Sequence, residues 1–201
     1  MKQLFKNILL FSSIALFLLS CSSTKETEMK EQTTDAKPIF IIKVTQNDKS
    51  MGEILIQLNR EAAPKHVANF ESLVALGSYN GTAFHRVIPG FMIQGGDPNS
   101  IKGPRNTWGF GDPNQAKVPA EFSSTLKHLR GTISAARSQD PNSASSQFFI
   151  CVADAPHLNG QYSIFGEVIG GMDVVDNIVK APRDKNDNPV DKISMTIERQ
   201  K

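Results

Sequence analysis

The amino-acid sequence predicts a mostly β domain that also contains two amphipathic helices. About eight short runs of β-branched and aromatic residues are separated by turns containing Gly, Pro, Asn or Asp, which is the pattern of short strands. The clearest run lies near the C-terminus, where Ile193, Met195 and Ile197 alternate with polar residues. Many short strands favour a closed barrel or a sandwich, because both limit exposed strand edges. Periodicity alone does not decide between them, although two helices can plug the two open ends of a barrel.

The first elements along the chain are a hairpin and a helix. Residues 39–45 and 52–58 have apolar strand patterns, and residues 46–50 between them are rich in Asn, Asp and Ser, as in hairpin turns. Pro64 suits the first position of a helix, and Gly77 suits its C-terminal cap. The apolar residues that share one face of this helix are Val67, Phe70, Leu73 and Val74.

The rest of the chain continues this pattern. Further predicted strands are residues 131–137, 147–153 and 163–169. A second, shorter helix follows Gly171. Its apolar face consists of Met172, Val175, Ile178 and Val179. Residues 100–120 are rich in Gly and Pro, which predicts an irregular surface loop that contains Trp108.

The N-terminus predicts an export signal. Residues 8–20 form an apolar stretch of signal-peptide length, with Lys2 and Lys6 near its start. The string Leu-Leu-Ser-Cys that ends at Cys21 resembles a bacterial lipobox, in which the signal peptidase cuts before the Cys and lipid is attached to its thiol. Several acyl chains would anchor the protein stably, because each buried methylene contributes about 0.8 kcal/mol. The alternative is an ordinary secretory signal or membrane anchor in which Cys21 is incidental.

The chain is therefore divided into three parts. Residues 1–20 are the predicted signal peptide. Residues 21–37 begin with the predicted lipidated Cys21 and are otherwise polar and charged, as in a flexible tether. Residues 38–201 are the predicted folded domain. If Cys21 carries lipid, Cys151 has no partner, and its apolar surroundings predict a buried free thiol.

Composition and charge argue against nucleic-acid and metal binding. The formal net charge is only +2, and no basic stripe is present. None of the four His has a Cys or a second His at ligand spacing, so no metal site is predicted. Hydrophobic content of 39% and charged content of 21% are ordinary for a globular domain.

Residues 84–97, FHRVIPGFMIQGGD, carry the strongest functional signal. They place Arg86 among apolar residues, and a guanidinium cannot lose its charge, so it needs a partner or a ligand. Pro89 and Gly90 predict a tight turn between two short strands. Taken alone, Arg86 is equally consistent with a surface ion pair, and the apolar residues with a core.

Strand alternation predicts which of these side chains lie together, because alternate residues point to the same face. The predicted groups are Phe84, Arg86 and Ile88 in the first strand, and either Phe91 with Ile93 or Met92 with Gln94 in the second. The pattern thus predicts a cation beside an apolar pocket.

Three segments together resemble the cyclophilin family of peptidyl-prolyl cis–trans isomerases, of the bacterial secreted type. They are residues 84–97, residues 145–168 (SSQFFICVADAPHLNGQYSIFGEV) and, as a supporting piece, residues 63–70 (APKHVANF), in the family's order and spacing. The resemblance covers nearly all of residues 38–201. It implies a closed eight-stranded antiparallel barrel with two helices capping its ends.

The resemblance also implies a set of site residues. The family's catalytic arginine corresponds to Arg86, and its residue that hydrogen-bonds the substrate backbone corresponds to Gln94. The implied proline pocket consists of Phe91, Met92, Phe149 and Leu158. Further implied substrate-binding positions are His85, Gln147 and Ala136, the last through its backbone.

Three of the implied substrate-binding positions depart from the family's best-known members. Arg137 stands where many eukaryotic members have Asn, which adds positive charge. His157 stands where the best-known members have Trp, and Tyr162 stands where they have His. That tryptophan contributes to cyclosporin binding in the family, so its replacement weakens the expectation of tight cyclosporin binding.

The implied activity is rotation about X–Pro peptide bonds, without a cofactor, to assist the folding of extracytoplasmic proteins. The expected partners are proline-containing polypeptides, including unfolded and folding proteins, and a membrane reached through the N-terminal lipid. The expected location is the bacterial cell envelope, on the periplasmic side of the outer membrane, and the family default is a monomer. The alternative is a scaffold module that binds proline peptides without significant turnover. Arg86 favours the enzyme, because a pure binder does not need it.

Overall fold

The computed structural model describes residues 37–201, so the predicted signal peptide, Cys21 and residues 22–36 lie outside the described part. Within that part, no helix has the length and apolar character needed to cross a membrane. The strands are β1 (Ile39–Gln46), β2 (Lys49–Leu58), β3 (Thr82–Ile88), β4 (Met92–Gly95), β5 (Thr132–Ala135), β6 (Phe148–Cys151), β7 (Ile164–Gly170) and β8 (Ile193–Arg199). The helices are α1 (Pro64–Ala75), α2 (Asn99–Lys102) and α3 (Met172–Val179).

The eight strands close into one antiparallel barrel, in the order β1-β2-β7-β5-β6-β4-β3-β8, with β8 pairing back onto β1. Closure leaves no sheet edge without a hydrogen-bonded neighbour. The predicted eight-stranded barrel is therefore confirmed, and the choice between barrel and sandwich is decided. In β8, the predicted alternation holds, with Ile193, Met195 and Ile197 buried in the core.

The β1–β2 hairpin forms where the sequence predicts it. Asn47 and Asp48 at its tip both have positive φ, at 49° and 61°, which these residue types tolerate well in tight hairpin turns. Phe40, Ile42 and Val44 alternate into the barrel and are almost fully buried.

Helix α1 covers one end of the barrel. Pro64 is its first residue, and Phe70 packs against Phe40, with ring centroids 5.5 Å apart. After the helix, the Gly77 N–H bonds the Val74 carbonyl and the Ser78 N–H bonds the Leu73 carbonyl. Together with the positive φ of Gly77, at 68°, this is the Schellman C-cap that the glycine predicts.

Helix α3 covers the opposite end. Its Val174 lies so close to Gly52 that a Cβ on that glycine would come within 2.6 Å of the valine side chain. Gly52 pairs with Val44 at the far end of β1 from Phe40, so α1 and α3 cap opposite ends of the barrel, as predicted. The buried residues of α3 are Val174, Val175, Ile178 and Val179.

The segment predicted as an irregular loop contains one short helix that the sequence did not predict. Helix α2 is a single turn, and a turn of 3-10 helix follows at Arg105–Thr107. Trp108 follows this turn and is half-buried, with its indole N–H bonded to the Gly103 carbonyl at 3.0 Å. The rest of the segment is turns and extended backbone, as expected.

Candidate active site

A β-bulge in β3 sets the direction of Arg86. The pairing register with β4 shifts between Phe84 and Arg86, so both Phe84 and Val87 point into the barrel core. Arg86 and Ile88 then face outward. The prediction that Phe84 shares a face with Arg86 and Ile88 was therefore wrong. The extra residue reverses the alternation, and bulges commonly re-aim a side chain beside an active site.

The outward face of β4 meets this arginine. Arg86 pairs directly with Gln94 across the two strands, and Met92 lies on the same outward face as Gln94. Ile93 points into the barrel core instead. Of the two alternatives that the sequence left open, the structure selects Met92 with Gln94.

An apolar pocket lies on the outside of the barrel beside Arg86. Its core of Met92, Phe149, Cys151, Ala155 and Leu158 is separate from the core inside the barrel. The cavity has a volume of about 330 Å³, within the usual range for small-ligand sites. Its lining residues are Arg86, Phe91, Met92, Gln94, Ala136, Arg137, Phe149, Leu158 and Tyr162. We call this cavity the proline pocket, after the ligand that the sequence resemblance implies, and it brings together nine of the twelve predicted catalytic and substrate-binding residues.

The guanidinium of Arg86 is free at the mouth of the proline pocket. Arg86 is exposed, and within residues 37–201 its guanidinium makes neither a hydrogen bond nor an ion pair. The surface ion pair that the sequence left open is therefore absent from the described residues. A cation beside an apolar wall is available for a ligand.

Gln147 lies behind Gln94 and does not line the proline pocket. The Gln94 side chain donates to the Gln147 side-chain oxygen at 3.0 Å, and Gln147 Nε2 donates to the Gly109 carbonyl at 3.1 Å. This chain of hydrogen bonds holds Gln94 against the pocket and ties it to the loop around Gly109. Gln147 thus supports a lining residue.

The two predicted histidines occupy different environments. His85 is 2% exposed and lies on the other side of Arg86 from the proline pocket. Burial lowers its pKa, and the nearby Asp97 carboxylate offsets this only in part, so the ring is neutral at pH 7. His157 is exposed and packs against Phe91 at the rim, with ring centroids 5.4 Å apart.

Arg137 forms part of the rim of the proline pocket. Its guanidinium lies 4.4 Å above the Tyr162 ring and donates hydrogen bonds to the Gln161 and Ser138 carbonyls. Tyr162 in turn meets Phe149 edge to face, at 5.7 Å between ring centroids. The added positive charge of Arg137 is therefore tied to the rim, where it also orients an aromatic wall.

A buried histidine that the sequence analysis missed supports the pocket floor. The His128 ring stacks on Phe149, with centroids 6.0 Å apart and planes at 14°. It lies within hydrogen-bond distance of the Ser134 hydroxyl and the Asn159 side-chain oxygen. Burial lowers the pKa of His128, so the neutral ring persists. No spacing in the sequence identifies it, because its partners lie 6 and 31 residues away.

Cys151 is a structural residue of this site. It is fully buried in the apolar wall, and burial, together with the nearby Asp154, raises the pKa of its thiol to about 12. The thiolate is therefore scarce at neutral pH. The predicted buried free thiol is confirmed.

Within residues 37–201, no three His, Cys, Asp or Glu side chains cluster in a way that could hold a metal ion. A cavity of about 390 Å³ lies against β2, β5 and β7, but it contains none of the predicted site residues.

Comparison with known proteins identifies the family. Residues 41–199 match the family model described as "Cyclophilin type peptidyl-prolyl cis-trans isomerase/CLD". The chain belongs to the cyclophilin family of peptidyl-prolyl cis–trans isomerases. The predicted membership of the cyclophilin family is therefore confirmed.

Curated relatives carry the same description. This cyclophilin is 50% identical over 154 residues to a "Probable peptidyl-prolyl cis-trans isomerase" of Brucella suis, covering 73% of this chain and 78% of the relative. It is 44% identical over 148 residues to an Arabidopsis thaliana peptidyl-prolyl cis–trans isomerase, covering 73% and 88%. The chain therefore spans most of the length of both relatives.

Solved structures agree with the fold. A crystal structure of a Cryptosporidium parvum cyclophilin superposes with a TM-score of 0.69 at 34% identity, covering 82% of this cyclophilin and 98% of that chain. A second structure of the same protein, determined in the presence of the dipeptide Ala-Pro, gives a TM-score of 0.67 at 35% identity, with 80% and 99% covered.

Proposed function

We propose that this cyclophilin catalyses cis–trans rotation about X–Pro bonds of extracytoplasmic polypeptides, with Arg86 as its catalytic residue. One observation carries the proposal: the free guanidinium of Arg86 lies opposite Gln94, at the mouth of an apolar pocket. A proline ring is the right size and polarity for such a pocket. A Pro-containing dipeptide is also named with the second Cryptosporidium parvum structure.

The chemistry requires no bond to break. Resonance in the X–Pro amide produces a rotation barrier of about 18–20 kcal/mol, and uncatalysed exchange takes tens to hundreds of seconds. In the planar states, the lone pair of the proline nitrogen is delocalised into the carbonyl. In the twisted transition state, it is localised on nitrogen and accepts a hydrogen bond. A fixed donor aimed at that nitrogen binds the twisted state better than either planar state, and this difference lowers the barrier.

Each part of the site then has a defined task. Met92, Phe149 and Leu158 hold the proline ring while the preceding carbonyl rotates. Gln94, held by Gln147, hydrogen-bonds the substrate backbone. The apolar walls reduce the local dielectric constant and strengthen the contact between the guanidinium and the nitrogen. No proton is transferred in this reaction, so the neutral ring of His85 has no acid–base role.

Removal of the guanidinium tests this proposal. Peptide exchange measured by NMR on a proline peptide should show at least about 100-fold lower kcat/KM in Arg86→Ala, the scale of losing one preorganised donor. Arg199→Ala is the matched control, because Arg199 is 60% exposed on β8 and lines neither the proline pocket nor its surroundings. Peptide affinity should survive in Arg86→Ala.

Two other results would change the conclusion. Tight proline-peptide binding by the wild type with no acceleration of exchange would leave the scaffold module as the function. Equal rates in wild type and Arg86→Ala would remove Arg86 from the mechanism while leaving an isomerase.

The proposed setting is the bacterial cell envelope, with the protein held on the periplasmic side of the outer membrane by lipid on Cys21. The support is the apolar residues 8–20, the lipobox-like string ending at Cys21 and the polar stretch that follows. Mass spectrometry of the mature protein should detect an acylated N-terminal Cys21, and the Cys21→Ser variant should leave the membrane fraction. A mature chain that begins at another residue and carries no acyl group would refute the anchor.

A further inference from the structure

Another cavity, which we call the second cavity, adjoins the proline pocket and is distinct from the one against β2, β5 and β7. Its volume is about 410 Å³, and Arg86 and Gln94 line both cavities, so the two share a wall. On its far side lie Arg105, Trp108 and Phe110, from the irregular segment of residues 100–120. Asn188, from the segment between α3 and β8, completes it. A polypeptide with its proline in one cavity has the other within reach.

Buried polar atoms in this second cavity lack partners. Asn188 is 8% exposed, and its side-chain oxygen is buried without any hydrogen bond. The ring nitrogens of His85, which is 2% exposed, lack a partner with hydrogen-bond geometry, although the Ala83 backbone and the Gln147 side chain lie close enough to act on its pKa. Buried polar groups nearly always have partners, so these unpaired atoms make the wall formed by His85 and Asn188 polar. The Asn188 oxygen is an acceptor and calls for a donor such as a peptide N–H, so the preference for a carboxylate depends on the charges described next.

The charges that face the second cavity are positive. Arg86 and Arg105 line it, and no Asp or Glu does. The guanidinium of Arg105 is held by the Pro189 and Val190 carbonyls and lies 4.8 Å from the centre of the Trp108 ring. This cation is therefore fixed in place before any ligand arrives.

Nearby carboxylates are already engaged. Asp97 is completely buried, and its carboxylate accepts the Gly109 and Gly111 backbone N–H groups. Asp187 pairs with Arg183, and Asp184 accepts the backbone N–H groups of Asn186 and Asn188. Asp97 and Asp184 keep their charge but do not line the cavity, whose charged lining residues are Arg86 and Arg105. Lys192 adds a further positive charge 5.7 Å from the centre of the Trp108 ring.

We propose that this cavity is a second substrate subsite, which takes the carboxylate of an Asp or Glu residue close to the isomerised proline. The proposal rests on the proposed function. Because neighbouring residues of an extended chain are about 3.3–3.6 Å apart, a residue two or three positions from the proline can cross the shared Arg86 wall. Phe110, 81% exposed at the rim, provides apolar surface for the stem of that residue.

Fluorescence provides a direct readout of this subsite. Trp108 is the only tryptophan in the chain and lines the second cavity, so its emission reports occupancy without turnover. The probes are eight-residue peptides with a central Ala-Pro, Gln at the other positions, and a single Glu placed two or three residues before or after the proline. The all-Gln peptide and the matching Lys peptides are the controls.

We expect at least one Glu position to bind about threefold or more tightly than all-Gln, with a saturable change in Trp108 emission, and the matching Lys peptide to bind more weakly. This preference should shrink at high salt, because surface charges are screened. Equal affinity of the Glu, Gln and Lys peptides at every position, or an unresponsive Trp108, overturns the subsite.

Two variants test the assignment through the ratio of kcat/KM for the best Glu peptide to that for all-Gln. Arg105→Gln should bring this ratio close to one, whereas Lys49→Gln, which removes the same charge from the β1–β2 hairpin, should preserve it. Arg105→Gln also removes the hydrogen bonds from Arg105 to the Pro189 and Val190 carbonyls, which support the loop. A second variant, Asn188→Asp, therefore tests the charge of the cavity without removing these bonds. It keeps the side-chain shape and should reduce the ratio below one by repulsion.

The outcomes separate this proposal from the proposed function. An unchanged ratio in both variants overturns the acidic subsite and leaves the isomerase intact. No acceleration of any peptide by the wild type ends the isomerase proposal, and the Trp108 titration then still decides whether the cavity selects an acidic side chain.

Discussion

The Gln94 side chain donates a hydrogen bond to the Gln147 side-chain oxygen at 3.0 Å, and this contact joins the proline pocket to the loop that carries Gly109. Gln147 is half-buried on the far side of Gln94 from the pocket. An amide side chain such as that of Gln94 has several rotamers, so its orientation depends on this support. The contact therefore connects pocket geometry to a segment outside the barrel.

We expect Gln147→Ala to raise KM for a proline peptide by about 3- to 10-fold with a smaller change in kcat. One hydrogen bond contributes about 0.5–1.5 kcal/mol, and its loss frees Gln94 to leave the pocket wall. Steady-state NMR exchange at several peptide concentrations separates the two constants. Gln200→Ala, on the exposed surface after β8 and outside both cavities, is the control. If kcat falls strongly while KM is constant, Gln147 acts on the transition state and not through Gln94.

The histidines lead to a prediction about pH. Since no proton is transferred in the proposed mechanism, kcat/KM should be flat between about pH 6 and 8. Burial lowers the pKa of both His85 and His128, so these rings stay neutral where an unfolded His, with a pKa of 6.5, takes up a proton. The unfolded state binds more protons below that value. The contribution of these two histidines to folding stability is thus fully present above about pH 6.5. It is lost as the pH falls towards their folded-state pKa values.

Urea denaturation at pH 7.5 and pH 5.5 checks the stability part of this prediction, and NMR exchange checks the rate. His85→Gln should flatten part of the stability profile, because it removes one of the two buried rings. A bell-shaped rate profile centred near neutral pH would show that an ionisable group takes part in turnover.

Glu121 links a distant loop to the start of α1. Its carboxylate accepts the Lys65 and His66 backbone N–H groups, both at 3.0 Å, and lies 2.6 Å from the His66 ring nitrogen. Burial favours a higher pKa for this carboxyl, but the hydrogen bonds from His66 and Lys65 outweigh it and the net pKa is lowered. These two N–H groups have no helical partner of their own, so Glu121 supplies the N-terminal cap.

Glu121→Gln should destabilise the protein by about 1–2 kcal/mol at pH 7, as for loss of a helix cap. The folded pKa lies below the unfolded value, so this contribution is present above about pH 4.5 and disappears as the pH falls through the folded value. The difference in the free energy of unfolding between wild type and Glu121→Gln, measured by urea denaturation, should therefore shrink towards pH 3. The exposed Glu61→Gln is the control. A difference that stays constant with pH would mean that the carboxylate charge does not support the cap.

The sequence predicted the elements whose signals are local. The alternation of Ile193, Met195 and Ile197 and the Pro64 and Gly77 helix boundaries are readable from nearest neighbours, and the structure confirms them. Barrel closure was not readable in this way and came from the resemblance to the family. Closure depends on the pairing of β8 with β1, and most of the chain lies between these two strands.

The errors and omissions have a common cause. The Phe84–Arg86 bulge changes which face a residue occupies, and strict alternation has no means to predict an inserted residue. The second cavity joins Arg105 to the carbonyls of Pro189 and Val190, which are 84 and 85 residues away. Contacts of that separation follow from the closed barrel and leave no periodic trace in either segment.

Gly171 is the residue that joins β7 to α3, and it packs closely against the backbone of β2. It has φ of 82°, and a Cβ there would overlap the Glu53 carbonyl and lie 2.9 Å from Ile54 Cα. Gly160 has a similar φ of 72°, but a Cβ there would meet nothing within 4 Å. The two glycines thus share the backbone requirement and differ in the space around them.

Gly160→Ala should cost about 1–2 kcal/mol for left-handed backbone alone, and Gly171→Ala should cost clearly more, because Glu53 and Ile54 belong to β2 and cannot move without disturbing the barrel. The free energy of unfolding from urea titration gives both values, and equal m-values would show that the two transitions expose the same surface. The difference between the two variants isolates the steric part. Equal costs would show that β2 yields at Gly171, and α3 would then be a movable cap over that end of the barrel.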